Sequence, residues 1–238
     1  MKYYVLRPSR NKKIIGHYPQ TKSIKQNCDI WNEPRFIEKF EFQKIGIEPI
    51  TANAILHNSS KVTDLIDVVG MGFTRKLLIS DKLRKILVNL RKSGLQFFVS
   101  NVIYKGINLS NYWIMNLYEV NPEFIDFEKS AVFETNLFDK VKQLEIKSVN
   151  EFLEVKKEID KKGYPNGILI DKVIIREQVS YDFFALLNVE GGVKYILSEK
   201  AKWEIEEADC TGIEFQPIEL SLAEWLHGGE REKVYGKA

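Results

Sequence analysis

A chain of 238 residues, 44% hydrophobic and 29% charged, carries enough apolar material for one large domain or two small ones and has no low-complexity tract. A formal net charge of +2 does not by itself require a nucleic-acid or membrane partner. Cys28 and Cys210 make no disulfide framework, MKYYVLRPSR is too short in apolar residues for a signal-peptide core, and no run approaches the ~20 apolar residues of a membrane helix. The expectation is a soluble cytoplasmic protein with no membrane partner, in which the sequons at Asn58 and Asn108 are chance matches.

In chain order, Tyr3 to Leu6 reads as a strand ended by Arg7-Pro8, and the polar residues 9–29, broken by Gly16 and Pro19, read as a loop. Phe36 to Phe42 alternates and suits a strand or a short amphipathic segment, which periodicity does not separate. Thr63 to Val69 and Lys76 to Ile79 read as strands about the turn Gly70-Met71-Gly72. Residues 80–93 form a helix: Ser80 is its cap, Asp81 sits at the positive end of the dipole, and Leu83, Ile86, Leu87 and Leu90 make one apolar face. Gly94 is placed to stop it, and Leu95 to Val99 is the returning strand.

Tyr112 to Val120 is a buried strand. A capping box of Ser148 and Glu151 opens a helix over 148–162 with Val149, Phe152, Leu153 and Ile159 inward and Gly163 at its stop. Strands follow at Ile168–Ile175, 183–189 and 193–197, then a helix at 198–211 and a strand at 213–218. Ser221 and Glu224 cap a short helix through Trp225 and Leu226, and the polar tail after Gly228-Gly229 reads as loose.

The segments 64–99 and 182–217 align without a gap. Asp64 falls on Asp182, Lys76 on Lys194, Ser80 on Ser198, Lys82 on Lys200, Gly94 on Gly212 and Phe97 on Phe215. A duplication explains the match; so does the shared need of any strand–helix–strand unit for a Ser cap and a Gly stop. The fold class is therefore α+β, two related strand–helix–strand lobes packed into one compact unit with mixed or mainly antiparallel sheet. Residues 1–121 are the N-terminal lobe and 122–238 the C-terminal lobe, or the two are a single domain.

The two aligned helices differ in charge. Residues 80–93 carry Lys82, Arg84, Lys85, Arg91 and Lys92 against Asp81, a balance of +4. Residues 198–211 carry Lys200 and Lys202 against Glu199, Glu204, Glu206, Glu207 and Asp209, a balance of −3. Trp203 lies off the apolar stripe of the second helix. Packing against the neighbouring lobe or the C-terminal segment is its first reading, and an anchor for a partner its second.

No catalytic pattern accompanies this scaffold. His17, His57 and His227 are scattered, none at ligand spacing from another His or Cys. There is no GxSxG and no GxxxxGK[ST]; Gly70-Met71-Gly72 has Arg75 where a dinucleotide loop needs its third glycine. Asp64 and Asp182 are read as strand-terminating or capping groups. The lysines of 140–162 are interleaved with Glu151, Glu154 and Glu158, a solvated helix face rather than a nucleic-acid groove. An enzyme would have to build its site from the loops of 7–60, where His17, Asp29, Glu33 and His57 are loosely clustered.

The phrase SEKAKWEIEEADCTGIEFQPI, with Ser198, Gly212, Ile213, Phe215 and Pro217, resembles the C-terminal signature of a bacterial immunity-protein family of polymorphic toxin systems. LISDKLRKILVNLRKSGLQFFV, with Ser80, Gly94, Leu95 and Phe97, is similar to that family's first copy, and Tyr112 to Leu117 to the strand that follows it. The resemblance covers roughly 64–217, and Val99 departs from it where the second copy has Pro217. It implies a protein without catalytic residues or cofactors that binds and occludes a cognate toxin domain; nucleic acid is not an expected partner. If that toxin is basic, the candidate toxin-binding surface is Trp203, Glu204, Glu206, Glu207 and Asp209. The competing reading is a small cytoplasmic enzyme with the loop-built site, and a peptide- or nucleic-acid-binding module is a third.

Overall fold

The computed structural model describes residues 1–68, 76–137 and 139–237, so the expected turn at Gly70-Met71-Gly72 and Arg75 lie outside the described residues. In chain order the elements are β1 (Tyr3–Pro8), α1 (Lys12–Ile15), β2 (Thr21–Lys25), β3 (Asn53–Leu56), β4 (Leu65–Ile66), β5 (Leu77–Ser80), α2 (Asp81–Leu90), β6 (Leu95–Val99), β7 (Val102–Tyr104), β8 (Ile107–Leu109) and β9 (Tyr112–Leu117). There follow β10 (Ala131–Asn136), β11 (Asp139–Leu144), α3 (Val149–Lys161), β12 (Asn166–Lys172), β13 (Phe183–Val189), β14 (Gly192–Ser198), α4 (Glu199–Glu207), β15 (Ile213–Pro217), α5 (Leu222–Leu226) and α6 (Glu230–Tyr235). The class is α+β, with mixed and antiparallel sheets.

The chain forms two units, each assembled from separated segments. The first holds Met1–Val5, Val120–Glu199 and Gln216–Val234; the second holds Leu6–Glu119, Lys200–Phe215 and Tyr235–Ala238. In the first, Val132, Ile170, Phe184, Leu186 and Ile196 from the strands bury against Phe152 and Ile159 of α3. In the second, strands ordered β2-β3-β7-β8 and β4-β5-β9-β6 share a cluster of Ala54, Leu56, Val102, Leu78 and Ile114, closed by Phe36, Ile37 and Ile45 from the long connection after β2. Burial of this much apolar side chain is the principal source of stability in each unit.

Several local expectations need correction. Residues 9–29 are not one loop: Asn11 accepts the N–H of Lys13 to cap α1, and β2 pairs with β3 in the register Thr21↔Leu56. Phe36 to Phe42 is no strand, because Phe36 and Ile37 are buried in succession about a 3₁₀ turn at Ile37–Lys39. In α3, Leu153 is exposed and Val155 packs against the core in its place. Its capping box is half formed: Ser148 Oγ accepts from Glu151 N, whereas the Glu151 carboxylate takes the N–H of Lys147. The tail carries α6, whose Arg231 is buried, and Tyr235 Oη accepts the N–H of Phe215 at 2.8 Å.

Neither Gly94 nor Gly212 is a helix stop. Helix α2 ends at Leu90 with Arg91 already extended, and α4 ends at Glu207 with Asp209 taking the left-handed turn at φ 50°. The glycines serve later turns. Gly212, at φ +80°, runs so close to Leu65 O and Thr63 Oγ1 that a Cβ would lie 2.5 Å from each.

The aligned positions acquire a physical meaning at the strand–helix junctions. Ser80 Oγ donates to Asp64 Oδ1 at 2.6 Å, and Ser80 N donates to Asp64 O at 2.8 Å. Ser198 Oγ donates to Asp182 Oδ1 at 2.6 Å, and Ser198 N donates to Asp182 O at 3.0 Å. In both places an aspartate ahead of one strand fastens the serine at the end of the next, so the open end of an antiparallel pair is closed. Strands β5 and β6, joined by α2, are both antiparallel to β9, which lies between them. Strand β1 stands likewise between β14 and β15 in the order β11-β10-β12-β13-β14-β1-β15.

Asp64 also accepts the N–H of Thr211 at 2.8 Å and stands 3.2 Å from Lys82 Nζ. Replacing it with alanine (Asp64→Ala) takes the acceptor from the buried Ser80 hydroxyl and from the part-buried N–H of Thr211. Chemical denaturation is expected to show a loss of about 2–4 kcal/mol; a loss under about 0.5 kcal/mol would mean that water replaces the carboxylate.

Helix α5 has a complete capping box of Ser221 and Glu224, and Lys172 Nζ lies 2.6 Å from Glu224. The lysine first, then the N–H and hydroxyl of Ser221, hold the Glu224 carboxyl down to about 2. A carboxyl depressed in the folded state stabilises above its ordinary value and loses that contribution as pH falls through the folded one. Helix α5 is therefore expected to stay capped at pH 5 and to loosen between about pH 4 and pH 2, followed by hydrogen exchange at Trp225; Glu224→Gln should abolish that acid dependence.

Candidate functional site

Helix α4 is amphipathic by two side chains. Ala201 and Ile205, four residues apart, are fully buried, and Trp203 between them projects to the opposite side with 59% of its surface exposed. The expectation that Trp203 packs against neighbouring structure is therefore overturned: a residue two positions from a buried one on a helix is turned well away from the core. Glu206, Glu207 and Asp209 are exposed, and Glu204 is partly covered.

The carboxylates are not equivalent. Lys202 pairs with Glu206 at 2.7 Å and Lys200 with Glu204 at 3.8 Å, the i, i+4 spacing that a helix surface favours. Among the described residues, Glu207 and Asp209 have no ion-pair partner. The main-chain carbonyl of Asp209, not its side chain, accepts from Lys82 Nζ at 2.7 Å. The last turn of α4 contains no basic residue. Acidic groups there face the negative end of the helix dipole, which disfavours them.

The cationic helix α2 is different. Its surface charge is largely spent within the second unit: Arg84 and Lys85 both reach Asp81, at 2.7 and 2.8 Å, Lys82 reaches Asp64, and buried Arg91 reaches Glu119 at 2.9 Å. Arg84 also lies 4.5 Å over the Trp113 ring. The excess of +4 read from the sequence is a set of internal ties more than a docking face.

The loop residues proposed for an enzyme do not assemble as one group. The Asp29 carboxylate accepts from Trp31 N at 3.0 Å and Asn32 Nδ2 at 2.7 Å, and Glu33 accepts from Arg35 N and Nε. Those bonds lower the pKa of both carboxyls, first through Asn32 and Arg35 respectively. His17 and His57, scattered in sequence, stack with ring centroids 3.8 Å apart. Partial burial, then His17 and Lys22, lower the His57 pKa. Among the described residues no group of three or more His, Cys, Asp or Glu is placed to hold a metal ion, and no helix is long and apolar enough to cross a membrane.

Two features escaped sequence reasoning. Trp31 is 82% exposed on a loop whose turn is tied by Asp29 and by Lys39 Nζ on Trp31 O at 2.8 Å. In the first unit, a cleft of about 550 Å³ is lined by Leu137, Leu169, Leu222 and Leu226, with the Lys140–Asp171 pair at 2.7 Å. Its walls come from four distant segments, so no local pattern signalled it.

Comparison with curated proteins gave no match. The immunity protein family Imm11 matches residues 2–220, a span that takes in the N-terminal strands as well as the aligned segments and extends well beyond the 64–217 of the resemblance. It begins ahead of β1 and ends just before α5. The chain belongs to the immunity protein family Imm11.

Proposed function

We propose that this protein is a cytoplasmic immunity protein of a polymorphic toxin system, which binds a cognate toxin domain made by the same cell and neutralises it by covering or distorting its active site. The observation that carries this reading is the family match over residues 2–220. Neutralisation in this reading is a matter of binding, without catalysis or a cofactor. Asp29 and Glu33 are occupied in building their own loop, which gives the enzyme reading no support.

The proposed toxin-binding surface is the outer face of α4: Trp203, Glu204, Glu206, Glu207 and Asp209. An exposed tryptophan supplies apolar contact area at small conformational cost, and a carboxylate rim steers a basic partner toward it. In the same reading the paired Asp–Ser junctions, Asp64–Ser80 and Asp182–Ser198, descend from one duplicated unit; their equal hydrogen bonds support that origin.

The test is co-expression with the C-terminal domain of the toxin encoded beside its gene. The expected result is rescue of growth and a complex that co-purifies; no rescue and no complex would overturn the immunity reading. Reversing two charges together, Glu206→Lys with Glu207→Lys, is expected to slow association about tenfold or more at low salt and to weaken protection. Unchanged protection would remove this face from consideration.

A further inference from the structure

Trp203 and Glu207 are one helical turn apart, so their side chains are neighbours on the exposed side of α4. No cation or ring contacts Trp203 among the described residues, and Glu207 there has no ion-pair partner. Elsewhere in the second unit the chain shows the same two groups with their complement in place. The Arg84 guanidinium lies 4.5 Å over the Trp113 ring while donating to Asp81 Oδ1 from Nη2 at 2.7 Å and Nε at 3.0 Å. An aromatic face and a carboxylate together hold one guanidinium, through the ring quadrupole on one side and a forked hydrogen bond on the other.

On α4 the ring and the carboxylate are present and none of the described residues supplies a cation to them. The placement also costs stability, since Glu207 stands in a last turn with no basic residue, at the end of the dipole where acid is disfavoured. A carboxylate kept where the fold gains nothing from it points outward in function as well as in space.

We infer that Trp203 and Glu207 form an open receptor for an arginine of a protein partner. Resting on the immunity reading, the partner is a toxin domain with a basic face. Glu204 and Glu206, already neutralised by Lys200 and Lys202, contribute little to that recognition.

The experiment measures the equilibrium affinity of the full chain for the toxin domain encoded beside its gene, together with the thermal midpoint of each free variant. Trp203→Ala and Glu207→Gln are each expected to weaken binding about tenfold or more, and the double variant by less than the product, as for two groups sharing one guanidinium. Glu204→Gln is expected to stay within about twofold of the parent. In the free protein Glu207→Gln is expected to raise the thermal midpoint while it weakens binding, a pair of opposite effects that a structural role would not produce. Parental affinity in both single variants, or a lowered midpoint in Glu207→Gln, would overturn the receptor while leaving toxin binding intact. Absence of binding by the parent chain would overturn the immunity reading, and the receptor with it.

Discussion

The fold depends on a serine hydroxyl used in both of its capacities. At the start of α2, Ser80 Oγ accepts the N–H of Leu83 and donates to Asp64 Oδ1, so one side chain ends a strand, begins a helix and closes a strand pair. Asp64 then carries the constraint onward through Thr211 N–H to the chain beyond α4, which lies in the same unit. Ser198 and Asp182 repeat the first of these ties in the other unit at the same 2.6 Å distance. Each junction thus ties the serine at the end of one strand to the aspartate ahead of its antiparallel partner.

Beyond these shared ties the surfaces of the two helices diverge. On α2 nearly every cation has an internal partner, and Arg84 is held between Trp113 and Asp81. On α4 two lysines balance two of the glutamates, and Trp203, Glu207 and Asp209 are left facing water. The part of the Trp203 ring left in water adds nothing to folding, while fully burying a large apolar side chain stabilises by about 1.5–3 kcal/mol. In the immunity reading proposed above, the toxin is what buries it, and the difference in charge between the two helices then serves to choose the partner.

Much of the architecture was legible in the sequence, and the reasons are local. Ser80, Ser148 and Ser221 announce helices because a free N–H in the first turn needs an acceptor at that position. Asp64 and Asp182 are visible as terminators, although only the structure shows that each receives the serine sixteen residues on. The glycines at 94 and 212 misled, because a positive φ marks a tight approach as readily as a helix end. Strand β2 was missed for lack of alternation on an edge, and the Leu137–Leu226 cleft for lack of any local signal. The proposed binding face is the least legible part. Exposure of Trp203 follows from which of its neighbours on α4 are buried, and sequence alone left that choice open.

Amide hydrogen exchange, compared between the free chain and its mixture with the toxin domain encoded beside its gene, tests the central claim most directly. The account predicts slowed exchange concentrated in α4 and the turn through Asp209, with the cores of both units unchanged. Slowed exchange confined to other surfaces, with α4 exchanging at its free rate, would contradict it.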